Sequence, residues 1–219
     1  MKGLLMQLVF DIETDGFLED MTKCHVLVCQ DVVTKKLYTF TDIKNGLDFM
    51  SNAVALIGHN IIGFDLMALE KLYGWKPSPK TRLVDTWIMS QTLQFNRSHK
   101  HGLAGWGSYL GYKKMDNSEW AADGFKTYDP RMIDYCINDV KLNTKVYEVL
   151  LAELQKAIEI NDLIKKGLRV EHDVAEFEAV VRKTGWLFDL GKAQENLRLM
   201  TRHMNKIESI ICLLYTSPS

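Results

Sequence analysis

Short apolar runs near the start of the chain give way to longer stretches with apolar residues three and four apart, and this change of period predicts the order of elements. Residues 4–10 form a brief apolar run, the look of a strand buried on both faces. Residues 24–29 (CHVLVC) and 36–40 (KLYTF) predict two more strands, joined across Val33-Thr34-Lys35 as a hairpin. Residues 41–51 predict a short linking helix at most. Residues 54–57 predict a further buried strand ended by Gly58, and residues 64–73 a helix closed by Gly74. Leu83-Val84 is a brief strand, after which residues 86–94 turn helical. Asp129 as N-cap and Pro130 as first helical residue predict the start of a long helical region ending near Gly167. Three strands, then strands alternating with helices, predict an α/β domain with a mixed sheet covered on both faces. Farther on, Ala193, Leu197, Met200, Met204, Ile207, Ile211 and Leu214 recur at alternating spacings of four and three. That is an apolar stripe along a helix of about six turns.

Composition narrows the class. The 219 residues are 47 % apolar and 25 % charged, an ordinary globular mix that excludes disorder, collagen-like repeats and a disulfide scaffold. A chain of this length buries roughly 70 % of its unfolded surface, enough for one large domain or one domain and part of another. With 27 Lys+Arg against 28 Asp+Glu the net charge is −1, which neither favours nor excludes nucleic acid, because a local patch can sit inside a neutral total. No stretch reaches the ~20 apolar residues of a membrane span, and the first residues lack the features of a signal peptide. Cys24, Cys29, Cys136 and Cys212 show no metal-binding spacing, so reduced thiols and a cytoplasmic location are expected.

Three short motifs carry chemistry. Asp11-Ile12-Glu13 ends the first strand, where residues two apart share a face, so two carboxylates stand side by side. Their repulsion is relieved by a hard divalent cation, although a solvated strand end reads the same way. Asn60-Ile61-Ile62-Gly63-Phe64-Asp65 follows a buried strand and places Asp65 in a first helical turn, where a carboxylate also has a purely structural use. Tyr135 and Asp139 lie one turn apart on a later helix. His59 reads as a hydrogen-bonded buried residue or a catalytic one, and Asp85 as a metal ligand or the cap of the helix from Thr86.

In this order, D-x-E, N-x-x-x-F-D and Y-x-x-x-D resemble the DEDD superfamily of 3′→5′ exonucleases, in its tyrosine branch, over roughly residues 5–165. Leu83-Val84-Asp85-Thr86, the segment His101 to Gly107, Glu171 to Val174 and Gly185 to Asp189 are similar to segments of phage-type family A DNA polymerases. The resemblance implies a ribonuclease-H-like mixed five-stranded sheet with helices on both faces, followed by a C-terminal helical extension. It implies two divalent ions, Mg²⁺ or Mn²⁺: one held by Asp11, Glu13 and Asp139, the second by Asp11 and, through water, Asp65. It implies that Tyr135 orients the attacking water and that Thr14 and Asn60 hold the 3′-terminal nucleotide. The expected substrate is a single-stranded DNA 3′ end or frayed primer terminus, in the cytoplasm of a phage-infected bacterium. A ribonuclease D-like exoribonuclease and an inactive nucleic-acid-binding domain are the alternatives; the full set Asp11, Glu13, Asp65, Tyr135 and Asp139 speaks against inactivity.

The expected organisation is an exonuclease domain over residues 1–167, the start of a polymerase region over 168–211 severed from its polymerase domain, and a non-native tail over 212–219. One feature is visible without any family. Residues 86–115 hold no Asp or Glu, while Arg97, Lys100, Lys113 and Lys114 are interleaved with aromatic residues. Cations for phosphates and rings for bases suit a single strand, so Arg97, Lys100 and Lys113 are candidate substrate contacts. Trp87 and Trp106 read rather as core.

Overall fold

The computed structural model describes residues 5–112, 115–117, 121, 123 and 125–216, the side chains of 213–216 excepted. Five strands form one sheet: β1 (Gln7–Thr14), β2 (Cys24–Asp31), β3 (Leu37–Phe40), β4 (Ala55–Gly58) and β5 (Arg82–Asp85), in the order β3-β2-β1-β4-β5. The first three pair antiparallel and β1-β4-β5 parallel, so the sheet is mixed, as expected. The helices are α1 (Ile43–Met50), α2 (Asp65–Tyr73), α3 (Thr86–Leu93), α4 (Leu103–Tyr109), α5 (Arg131–Ile160), α6 (Leu163–Thr184) and α7 (Leu190–Thr216).

Alternation along β1 divides its side chains between two apolar layers. Leu8, Phe10 and Ile12 pack with α1 and α2 through Leu47, Met50, Ala68 and Leu69. Val9 faces the other way, toward Met89, Trp106, Cys136 and Val140 of α3, α4 and α5. Asp11 and Glu13 have the parity of Val9, so β1 aims both carboxylates at the α5 side.

Turn chemistry accounts for most element ends. The β2–β3 hairpin closes with Lys35 in the left-handed region (φ 59°), and Asp31 accepts from the N–H groups of Val33 and Thr34. Gly74 ends α2 at φ 66°, the C-terminal glycine that the sequence predicts. Gly58 is fixed by space: a Cβ there would stand 2.0 Å from Ile61 Cγ2 and 3.0 Å from the Phe10 carbonyl.

The long helical region differs from the expectation. It breaks at Asn161, whose backbone N–H closes α5 on Ala157 while its side-chain oxygen accepts from Leu163 N and starts α6. An Asn that serves both ends stops a helix as surely as a glycine, and Gly167 lies inside α6. The chain forms two compact units, one through Val180 and one from Val181. In the first, Leu168, Ala175 and Ala179 of α6 pack on the two apolar layers, and His172 Nε2 accepts from Asp85 N at 3.0 Å. In the second, α7 covers the predicted stripe, with Leu197, Met200, Met204, Ile207 and Ile211 exposed; the side chain of Leu214 lies outside the described residues.

Candidate active site

β1 outruns its parallel neighbour. Pairing with β4 stops at Val9–Ile57, and the last residues of β1 keep a strand partner only on the β2 side. Asp65, first residue of α2, is buried next to this strand end, where its own backbone and that of Ile12, between Asp11 and Glu13, act to lower the pKa of its carboxyl against the larger effect of burial. On the opposite layer, α5 presents Cys136 and Asp139. Cys136 Sγ donates to the Asp11 carbonyl at 3.4 Å and lies 3.8 Å from Asp11 Oδ2. Donor atoms of Asp11, Glu13 and Cys136 all fall within 4.8 Å of one another.

The carboxylates share one electrostatic neighbourhood. Burial, then the charges of Asp11, Glu13, Cys24 and Asp139, push the Cys136 thiol well above its ordinary range, so its sulfur stays protonated and is no ligand for a hard ion. Burial also lifts Cys24, which feels Asp65, Glu13 and Asp11. Asp65 is 3 % exposed, and burial, with the nearby charge of Asp85, pushes its carboxyl up to about 8. Its Oδ1 is buried with no hydrogen-bond partner among the described residues. An oxygen so placed, among other carboxylates, fits a divalent cation that takes oxygen ligands.

Other predicted site residues fall into distinct groups. Thr14 is buried and donates to the Gly16 carbonyl at 2.9 Å, shaping the exit from β1. Asn60 is exposed, in the left-handed region at φ 63°, with its side-chain oxygen over Gly63, where a Cβ would meet it at 2.5 Å. Tyr135 is half-buried against Phe125, ring centroids 5.8 Å apart. Lys100 is exposed; Lys113 lies outside the described residues.

Arg97 departs from its expected use. Its side chain is 4 % exposed, forked onto Glu153, bonded through Nε to the Ser90 carbonyl and stacked 4.7 Å from the Trp106 ring. A guanidinium so enclosed braces the 95–106 segment against α3 and α5 and does not offer itself to a phosphate. Trp106 is core, as its reading holds, whereas Trp87 sits at the surface edge-on to His59.

Asp85 takes its structural reading. It caps α3 by accepting from Trp87 and Ile88 N–H, and also accepts from Asn60 and Ile62 N–H, tying the turn before Asp65 to β5. His59 is hydrogen-bonded, its Nδ1 2.8 Å from the Thr86 hydroxyl. Three features have no clear signature in the sequence: Cys136 against Asp11, Tyr112 within the field of Asp139, and Phe17, 77 % exposed just past Glu13.

No family model matches the chain. It is 25 % identical over 240 aligned positions to the DNA-directed DNA polymerase of Escherichia phage T7, and equally to that of Enterobacteria phage T3. Both matches take in 86 % of this chain, and the chain spans about a third, 34 %, of each relative's length. Among solved structures, Brucella melitensis NrnC bound to pGG superposes with a TM-score of 0.60 at 19 % identity, over 84 % of this chain and 88 % of that one. Escherichia coli RNase D, an exoribonuclease involved in structured RNA processing, gives 0.54 at 18 % identity, over 78 % and 45 %. The ribonuclease-H-like fold is therefore the observed one, and the resemblance to phage DNA polymerases is borne out by sequence. NrnC is also known with bound Mg²⁺, at a TM-score of 0.57 and 18 % identity; in this chain Asp11 and Glu13 suit a divalent cation.

Proposed function

We propose that this chain is a metal-dependent 3′→5′ exonuclease region that removes the terminal nucleotide of a DNA strand, the proofreading part of a replicative polymerase. One observation carries the reading: donor atoms of Asp11 and Glu13 at the end of β1 lie within 4.8 Å of each other, and Asp65 at the start of α2 holds an oxygen, Oδ1, that is buried without a partner among the described residues. Asp11, Glu13 and Asp139 would hold one ion, and Asp11 with Asp65 a second. Bound there, such ions supply a low-pKa water and neutralise charge on the phosphate and the leaving oxygen. Tyr135, one turn before Asp139 on the same helix, orients the attacking water by a hydrogen bond. Phe17, exposed on the loop leaving β1, offers a face for stacking the terminal base, in addition to the roles of Thr14 and Asn60.

The test uses a 5′-labelled single-stranded DNA oligonucleotide and its RNA counterpart. With Mg²⁺ or Mn²⁺ the DNA should shorten from its 3′ end, and EDTA should stop the reaction. Asp11→Ala and Asp139→Ala should lose several orders of magnitude in rate, and Tyr135→Phe less, because it removes an orienting bond and no metal ligand. Undiminished cleavage by Asp11→Ala would overturn the site. Preference for the RNA would favour the exoribonuclease reading.

A further inference from the structure

The pairing of β1 with β2 runs Asp11–Val28, Ile12–Leu27 and Glu13–Val26, then slips: Thr14 faces Cys24. His25 is the extra residue of a β-bulge, directly opposite the strand end that carries Glu13. The packing records the same slip. Leu27 and Cys29 share one layer with Cys24, although a regular strand would put Cys24 beside Val26 and Val28 on the other. A bulge re-aims a side chain without ending the strand. Here it sends the His25 ring, 6 % exposed, to a backbone group one hundred residues on: His25 Nε2 lies 2.9 Å from the Phe125 carbonyl. A carbonyl only accepts, so Nε2 carries the proton and donates.

Phe125 is held in a conformation a bulky residue rarely adopts, φ 66°. Its ring packs on Tyr135, and Tyr128, three residues on, lies 5.9 Å from the His25 ring. Positive φ at a bulky residue persists only where the surroundings over-determine it. The part-buried imidazole bond to its carbonyl is one such restraint on Phe125, whose ring centroid stands 5.8 Å from that of Tyr135.

We infer that His25 is a positioning residue for Tyr135: the β2 bulge holds Phe125 through its carbonyl, and Phe125 sets where the Tyr135 side chain stands. The inference rests on the nuclease reading, in which Tyr135 orients water, but the packing does not. His25 touches neither substrate nor metal ligands in this scheme. Its loss therefore acts on the rate at saturation rather than on DNA or ion affinity.

The experiment is a mutant cycle on the whole chain with a single-stranded DNA oligonucleotide and Mg²⁺. His25→Ala should lower kcat about 10-fold, with the oligonucleotide KM and the Mg²⁺ requirement within about twofold of wild type. His25→Gln, whose amide reaches the same carbonyl, should recover most of the rate. In a Tyr135→Phe background, His25→Ala should cost nothing further. Phe125→Gly keeps the backbone at positive φ and removes only the ring, so it should repeat the loss and the non-additivity even if His25→Ala folds poorly. Ring resonances of ¹³C-labelled Tyr135, read without metal or DNA, should move in both His25→Ala and Phe125→Gly. Additive losses, an effect confined to KM, or unmoved Tyr135 resonances would overturn the positioning role. An inactive wild-type chain would instead count against the nuclease reading, and the resonances would still decide the role of His25 in placing Tyr135.

Discussion

A carboxylate that is useful to a metal is costly to a fold without one, and the metal-binding role we propose for Asp65 sets up that conflict. Burial raises its pKa from 3.8 to about 8, so the metal-free fold prefers the neutral acid. Between those values the folded state binds a proton that the unfolded state has released. Stability due to this group is therefore whole below about pH 4 and is lost as pH rises toward about 8. Asparagine is neutral throughout and escapes that loss. In EDTA, Asp65→Asn should melt higher than wild type at pH 8 and close to it at pH 4, while its nuclease rate collapses; melting curves that stay parallel across this range would refute the burial argument. Arg97 shows the opposite economy, a charge kept for structure. Replacing it with Met strands Glu153 and loosens the Trp106 ring, and should destabilise the chain by about 3 kcal/mol, at the low end for a broken buried pair because Glu153 is a third exposed. Urea melts would read the loss, and an unchanged midpoint would mean that the fork is dispensable.

At the scale of elements, period and turn residues made most of the sheet legible. The strands at residues 24–29, 36–40 and 54–57 lie within two residues of β2, β3 and β4, and Gly74 closes α2. The joint between α5 and α6 was not legible, because Asn161 works through hydrogen bonds to two helices and leaves no gap in the apolar pattern. Nor was the bulge at His25, since strand register depends on the partner strand. The acid-free stretch divides as an element would: Arg97 turns inward and Lys100 outward. Lys100→Ala should weaken binding of a single-stranded oligonucleotide at low salt and reduce the salt slope by about one phosphate's worth, roughly 0.7, with the rate at saturating DNA unchanged. A drop in kcat alone would remove Lys100 from the electrostatic path.

For the whole molecule, the structure extends the first compact unit to Val180, past the glycine at 167. Leu168, Ala175 and Ala179 contribute to its core, and His172 secures the Asp85 backbone next to the turn that carries Asp65. A chain ending at Val180 should keep the melting temperature of this unit and its nuclease activity. A chain ending at Gly167 should melt several degrees lower, because a buried Leu is worth roughly 1.5–3 kcal/mol and a domain of this size shifts about 2–4 °C per kcal/mol. Equal melting of the two would mean that α6 adds nothing to the unit. We propose that the region beyond it, with the exposed stripe of α7, belongs with a polymerase region; none of its described stripe residues beyond Ala193 is buried.

The sequence by itself determined the mixed α/β class, most element positions, and the parity that turns Asp11 and Glu13 to one side, because alternation and turn chemistry are local properties of the backbone. It also singled out the carboxylates of the proposed site, since their motifs keep chain order. Tertiary structure decided what those residues meet. Whether Arg97 faces a phosphate or Glu153, whether Cys136 is a ligand or a protonated packing atom, and that His25 reaches Phe125 across one hundred residues all depend on contacts between distant segments. Such contacts are set by layer packing and register. A lone charge or thiol in a sequence carries no record of which side of a sheet its partner will come from.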